Sequence, residues 1–178
     1  MLEDPKLPAV HREYHDVVYG YPVEDDNELF GRLVLELNQA GLSWTTILNK
    51  QENFRAAYSG FDVAAVARYG EADRNRLLGN PGIIRNRLKV DAAIVNARRI
   101  VEIAAEFGSF KEWLNMQVGF DREAWVRLFK VNFKFTGGEI TNEFLLSSGY
   151  LEGAHIVTCP VYEKIMARRP AWAQRGVE

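Results

Sequence analysis

Apolar residues recur along most of the chain at three- and four-residue spacing, and no run shows the strict alternation of a half-buried strand. The pattern predicts a fold built from helices alone. A first short helix covers about residues 10–17 and ends before YGYPVEDD, where Gly20, Pro22 and three acids mark a loop. Asp25 or Asp26 caps a second helix that runs to about Ala40, where Gly41 stops it. Ser43 caps a third, read as continuous through WTTILNKQENFRAAY. SGFD is a turn, Asp62 caps a short helix over VAAVARYG, and another short helix from about Asp73 to Leu78 leads into GNPG. The longest periodic segment follows, about Ile84 to Phe107, with Val90, Ile94, Ala97, Val101 and Ala104 as its expected buried stripe. Ser109 caps a helix over SFKEWLNMQ, DREAWVRLFKV forms another, and after a Gly-Gly break a further helix ends at Gly149. The tail TCPVYEKIMARRPAW starts with a proline and ends basic.

One position breaks this pattern. In the helix LFGRLVLELNQAGLSW, Leu29, Leu33, Glu36 and Ala40 share one face, flanked by Phe30 and Leu37. Glu36 therefore lies in an apolar stripe, where an unpaired carboxylate is costly. Arg32 and Asn38 are expected on the outer face. Glu36 is either a structural carboxylate held by an arginine or backbone amides, or an acid placed for chemistry.

Composition narrows the class. The chain has 178 residues, 47% of them hydrophobic, which suits one all-α domain or two small lobes sharing a cleft. A net charge of −2 gives no global signature of nucleic-acid binding, so any such contact must be local. A single cysteine excludes an intrachain disulfide framework and points to a reducing compartment. The start MLEDPKLPAV lacks the regions of a signal peptide, and no apolar run approaches the roughly 20 residues of a membrane span. A cytoplasmic monomer without membrane association is expected.

Three constellations bear on chemistry. GNPGIIRNRLK joins two helices through Asn-Pro-Gly, and a helix-hairpin-helix of this shape turns backbone amides toward a phosphate. Arg85, Arg87 and Lys89 follow at once as a local basic patch, although an ordinary connection with solvated basic residues fits the same spacing. Tyr14, Tyr19 and Trp44 flank the Glu36 helix in sequence. They form either plain core or a pocket for a flat cation, bound by stacking, cation–π attraction and charge. His155 and Cys159 stand four apart, with His15 as a further ligand candidate and His11 one turn before it; a structural zinc usually takes four ligands.

In order, EYHDVVYGYPVEDDNELF, LELNQAGLSWTTILNKQENFRAAYSGFD, NPGIIRNRLKVDAAIVNAR, NFKFTGG and GAHIVTC resemble the successive blocks of the 3-methyladenine DNA glycosylase I family, from about Tyr14 to Cys159. The resemblance implies an all-α, helix-hairpin-helix DNA glycosylase-like fold, one glycosylase domain over 1–178 with two small helical lobes around a base-binding cleft. It implies a monofunctional enzyme of base-excision repair that hydrolyses the N-glycosidic bond of N3-methyladenine in alkylated double-stranded DNA. Glu36 takes the catalytic position; Tyr14, Tyr19, Gln39 and Trp44 bind the base; Gly82, Arg85, Arg87 and Lys89 bind DNA. No cofactor is required for the chemistry.

The sequence departs from the family pattern in three places. The N-terminal C-G-W is absent, so His15, His155 and Cys159 supply three zinc ligands and the fourth is missing, leaving zinc absent, completed by water or completed by another residue. The missing N-terminal tryptophan stacks on the base in the family, so its loss bears on affinity and substrate choice, and Tyr19 stands where a tryptophan is usual. The segment from Phe110 to Phe133 is shorter and GGEITNEF differs, so the second lobe is trimmed and one pocket wall is altered. A glycosylase-like DNA-binding module with weakened catalysis, or a glycosylase with another alkylated-base specificity, are the alternatives these departures favour.

Overall fold

Residues 8–174 are described by a computed structural model; most of the MLEDPKLPAV segment lies outside them. The described residues form α-helices and two short 3-10 turns, with no strand. The helices are α1 (Ala9–Val17), α2 (Asp26–Gln39), α3 (Trp44–Asn49), α4 (Gln51–Ala57), α5 (Val63–Ala67), α6 (Glu71–Gly79), α7 (Arg87–Phe107), α8 (Phe110–Asn115), α9 (Arg122–Asn132), α10 (Gly138–Ser147) and α11 (Tyr162–Ala167). Among the described residues no helix is long and apolar enough to cross a membrane.

Short polar side chains start the helices. Asp25, Ser43, Asp62, Asn86, Ser109 and Asp121 each accept a backbone N–H in the first turn of the helix that follows, satisfying amides that have no partner within the helix. Asp26 reaches further: its carboxylate accepts the Phe110 and Lys111 amides at 2.8 and 2.9 Å, tying the start of α2 to the start of α8.

The central element is α2. It is buried on nearly every side, with Leu29, Phe30, Leu33, Val34 and Leu37 inaccessible to solvent. The expectation of an outer polar face for Arg32 and Asn38 is therefore incorrect. Asn38 is 1% exposed and its amide donates to the Val34 carbonyl at 2.8 Å. Arg32 donates to the Ser147 carbonyl and pairs with Glu28 at 3.5 Å. An amphipathic stripe identifies one packing partner; α2 has α3, α4, α5, α7, α8 and α10 against it.

The segment expected as one helix over 44–58 divides into α3 and α4 at Lys50, whose φ of −102° and ψ of 2° leave the helical range. Its ammonium donates to the Pro81 and Gly82 carbonyls, both at 3.3 Å, so the break faces the 80–86 turn. The long helix α7 begins at Arg87 rather than Ile84, capped by Asn86. Its stripe holds at Val90, Ile94 and Ala97. It then turns toward Ile100 and Ile103, leaving Val101 38% exposed, because α8 packs on that side.

A candidate base pocket and its surroundings

A cavity of about 650 Å³ opens between α1, the start of α3, α10 and the 154–159 segment. Tyr14, Tyr19, Gln39, Trp44 and Glu36 all line it. The sequence-predicted base-binding set thus meets in one place. Tyr14 is its centre, 5.7 Å from Tyr19 and 5.2 Å edge-on to Trp44 by ring centroids. These three rings are half-buried and present surface to the cavity, unlike the fully buried core aromatics Phe30 and Phe54. The volume accommodates a flat bicyclic ligand among stacking surfaces.

Glu36 projects from the last turns of α2 onto this cavity. It is 5% exposed and makes no hydrogen bond or ion pair among the described residues. Burial, then the neighbouring Glu143 carboxylate, push its pKa up to about 8, against a smaller opposing pull from Arg32. That guanidinium is committed to Glu28 and the Ser147 carbonyl, so Glu36 is not a structural half of an ion pair. Burial raises the Tyr14 phenol well above its ordinary range, with Glu36 adding to the effect. Burial likewise raises Tyr19, followed by Glu143. Both phenols remain protonated donors. The site therefore combines aromatic faces with an acid that lacks a partner, and a cation is the ligand it suits.

The 80–86 turn is built for close approach. The Gly82 amide donates to the Asn80 side chain at 2.8 Å, and its carbonyl accepts from Asn53 at 3.2 Å. A Cβ at Gly82 would stand 3.1 Å from the Asn80 oxygen and 3.3 Å from Asn53, so a side chain there would crowd the turn. Arg85 and Arg87 are exposed around the start of α7, beside Leu88, which is 68% exposed. Lys89 does not join them. It is 4% exposed, and its ammonium donates to the Asn38 and Ala40 carbonyls at 2.7 Å each. Its place in the basic patch is corrected accordingly: Lys89 caps the C-terminal end of α2 and faces inward.

His15, His155 and Cys159 also converge, their donor atoms all within 4.8 Å of one another. Cys159 Sγ lies 3.3 Å from His155 Nδ1 and 3.6 Å from His15 Nε2. Ligands on one tetrahedral zinc, at about 2.3 Å for sulfur and about 2.0 Å for nitrogen, stand roughly 3.5 Å apart. The outer nitrogens are engaged: His155 Nε2 with the Tyr19 carbonyl at 2.8 Å, and His15 Nδ1 with the Asp16 carboxylate at 2.8 Å. Those bonds set the tautomers that aim both lone pairs inward. Gly20 permits the approach. At φ 84° it adopts a conformation few other residues tolerate, and a Cβ there would meet Ala154 at 2.9 Å. His11 does not belong to this cluster; its Nε2 bonds Thr45 Oγ1 at 2.7 Å.

Four cavity residues were absent from the expected site set: Ala154, Ile156, His11 and Glu143. His11 lines the wall, and Glu143 faces in from α10 with its carboxylate accepting the Tyr19 hydroxyl at 3.1 Å. The only trace of Glu143 in the sequence was the unusual GGEITNEF segment, which pointed to an altered wall without naming a residue.

Comparison with known proteins agrees with this geometry. Residues 6–128 match the family model described as methyladenine glycosylase. DNA-3-methyladenine glycosylase 1 of Escherichia coli (strain K12) is 35% identical over 168 residues, covering 84% of this chain and 89% of that protein. 3-Methyladenine DNA glycosylase I from Staphylococcus aureus, in a structure addressing its recognition of 3-methyladenine, superposes with a TM-score of 0.79 at 31% identity. That match covers 87% of this chain and 92% of the other. A crystal structure of a substituted 3-methyladenine DNA glycosylase I in complex with 3-methyladenine gives a TM-score of 0.80 at 31% identity, over 87% and 93% of the two chains. With over half its length matched by the family model and its helices superposing on the solved enzymes, the chain belongs to the methyladenine glycosylase family.

Proposed function

We propose that the protein is a monofunctional DNA glycosylase that releases N3-methyladenine from alkylated double-stranded DNA and leaves an abasic site. The observation that carries this reading is Glu36, buried and without a hydrogen-bond or ion-pair partner among the described residues, at the wall of an aromatic cavity. Alkylation at N3 gives the base a positive charge and weakens its glycosidic bond. When that bond breaks, its electron pair passes to the base, which leaves neutral, and water adds to the sugar carbon with loss of a proton. The leaving group needs no protonation. The protein's task is to extrude the nucleotide, recognise the cation and exclude neutral adenine. Tyr14, Tyr19 and Trp44 offer stacking faces, Gln39 an amide, and Glu36 the opposite charge. The protein acts as a cytoplasmic monomer in this reading.

Release of 3-methyladenine from methylated duplex DNA, followed chromatographically, tests the proposal. Free base in the wild-type reaction is expected. Duplex binding without release from this or any other alkylated base would replace the enzyme with a DNA-binding module.

Gly82, Arg85 and Arg87 are proposed to hold the DNA backbone, with the exposed arginines contacting phosphates. Reversing both arginines to glutamate is expected to flatten the salt dependence of duplex binding by about two in log–log slope, one for each phosphate contact, with the melting temperature retained. An unchanged slope in a fluorescence-anisotropy titration would reject this assignment.

The chain is also proposed to hold one zinc ion through His15, His155 and Cys159, with a non-protein ligand completing the set. Bound there, the metal joins α1 to the segment after α10 and braces the wall of the base pocket. Purified protein is expected to withdraw one equivalent of zinc from a chromogenic chelator, and Cys159→Ser to abolish that competition. Equal withdrawal by both proteins would sink the assignment.

A further inference from the structure

Glu143 is a second carboxylate in the cavity. It projects from α10, lines the cavity with Glu36 and is electrostatically coupled to it, and no sequence pattern assigned it a role. Its Oε2 accepts the Tyr19 hydroxyl at 3.1 Å, which fixes the group against the aromatic cage. Its Oε1 accepts only a long bond from the adjacent Asn142 amide at 3.4 Å. The guanidinium nearby is already occupied: Arg32 bonds Glu28 and the Ser147 carbonyl. The cavity interior is consequently rich in acceptors and poor in free donors. Two acids converge on one space, and no lysine or arginine among the described residues lines it.

We propose that Glu143 is a specificity-determining residue of the base pocket, a second acidic acceptor that makes the site select cationic purines over neutral ones of the same shape. The inference rests on the base-pocket reading above and deepens it. One carboxylate suffices to pair with a cation. A second, held by Tyr19, enlarges the difference between charged and uncharged ligands because it attracts the former and leaves the latter facing unpaired acceptors. Glu143 also acts through Glu36, since like charge on one wall favours the protonated acid on the other until a cation enters. The other groups electrostatically coupled to Glu36 are Arg32, Tyr14 and Tyr19, and only Arg32 is cationic.

Tryptophan fluorescence provides the test, with two soluble probes. One is 3,9-dimethyladeninium, a permanent cation, and the other is neutral 9-methyladenine. Wild-type protein is expected to prefer the cation. Glu143→Gln keeps the Tyr19 bond and is expected to lose about tenfold in affinity for the cation with little change for the neutral base. The pH midpoint of cation binding, governed by Glu36, is expected to move to lower pH in the same variant. Glu143→Asp keeps the charge and is expected to retain most of the preference, which guards against a packing defect in the glutamine variant. Equal losses for both probes, or an unchanged preference with an unmoved midpoint, would overturn the role of Glu143 and leave the base-pocket reading standing. Failure of the wild type to bind either probe would overturn both.

Discussion

Glu36→Gln lowers kcat/KM for 3-methyladenine release by about 100-fold, the loss of one buried charge pair of roughly 3 kcal/mol, and at the same time stabilises the folded protein at alkaline pH. The two effects share a cause. Glu36 is 5% exposed and has no hydrogen-bond or ion-pair partner among the described residues, so the folded protein bears the cost of its charge until a cation arrives. Its pKa rises from the ordinary 4.5 to about 8. At pH values below 4.5 the folded and unfolded chains both hold the proton and the group is neutral in its effect. Between 4.5 and 8 the unfolded chain has released a proton that the folded chain retains, so stability falls as pH rises, levelling off above 8. The full fall is about 5 kcal/mol. Glutamine removes this slope. Urea unfolding of both proteins at about pH 5 and about pH 9 is expected to show a stability difference that favours the variant at the higher pH and nearly vanishes at the lower. A difference independent of pH would mean that Glu36 is not the buried, partnerless acid described above. Catalysis has the opposite dependence: kcat/KM of the wild type, which reports the free enzyme, rises toward about pH 8 as Glu36 ionises.

The sequence makes the local parts of this site legible and leaves its long-range parts hidden. Asp25, Ser43 and Asp62 announce helix starts because a capping side chain acts within three residues of its own position. Glu36 stands out because its apolar neighbours on one helix face define what an ordinary residue there would be. The meeting of Tyr14, Tyr19 and Trp44 follows from block order and family resemblance; position along the chain alone left core and pocket as alternatives. Four features escaped. The break at Lys50 depends on carbonyls at Pro81 and Gly82, some thirty residues away. The burial of Arg32 and Asn38 depends on how many helices surround α2, which a single stripe does not encode. The turn of the α7 stripe toward Ile100 and Ile103 depends on where α8 lands. Glu143 reaches the pocket only because α10 packs against α2. Each failure is a contact between distant segments, and such contacts leave no trace in local spacing.

A fifth distant contact, that of Lys89, is the most consequential, because the sequence reading placed it outside the fold. As a member of a basic run after a hairpin it resembles a phosphate ligand. In the folded chain its ammonium ends on the Asn38 and Ala40 carbonyls, at 2.7 Å each, and those groups have no partner within α2. A cation at a helix C-terminus also gains from the helix dipole, and both bonds are charge-assisted. Burial lowers the Lys89 pKa, so the ammonium sits where it persists only through these acceptors. Lys89→Met keeps the length of the side chain and leaves both carbonyls unpaired, at an expected cost of about 3 kcal/mol. For a chain of this size that corresponds to a fall in Tm of roughly 6–12 °C. The salt slope of duplex binding, by contrast, is expected to stay at the wild-type value, since no phosphate contact is lost. Arg85 and Arg87 are expected to behave in reverse, changing the slope and sparing the Tm. Should Lys89→Met melt with the wild type and flatten the salt slope, the ammonium would be a phosphate ligand after all. The cap also has a functional consequence. It fastens the first turn of α7, beside the exposed arginines, to the end of the helix that bears Glu36. In the proposed function, this cap fixes the separation between Glu36 and the two arginines assigned to the DNA backbone.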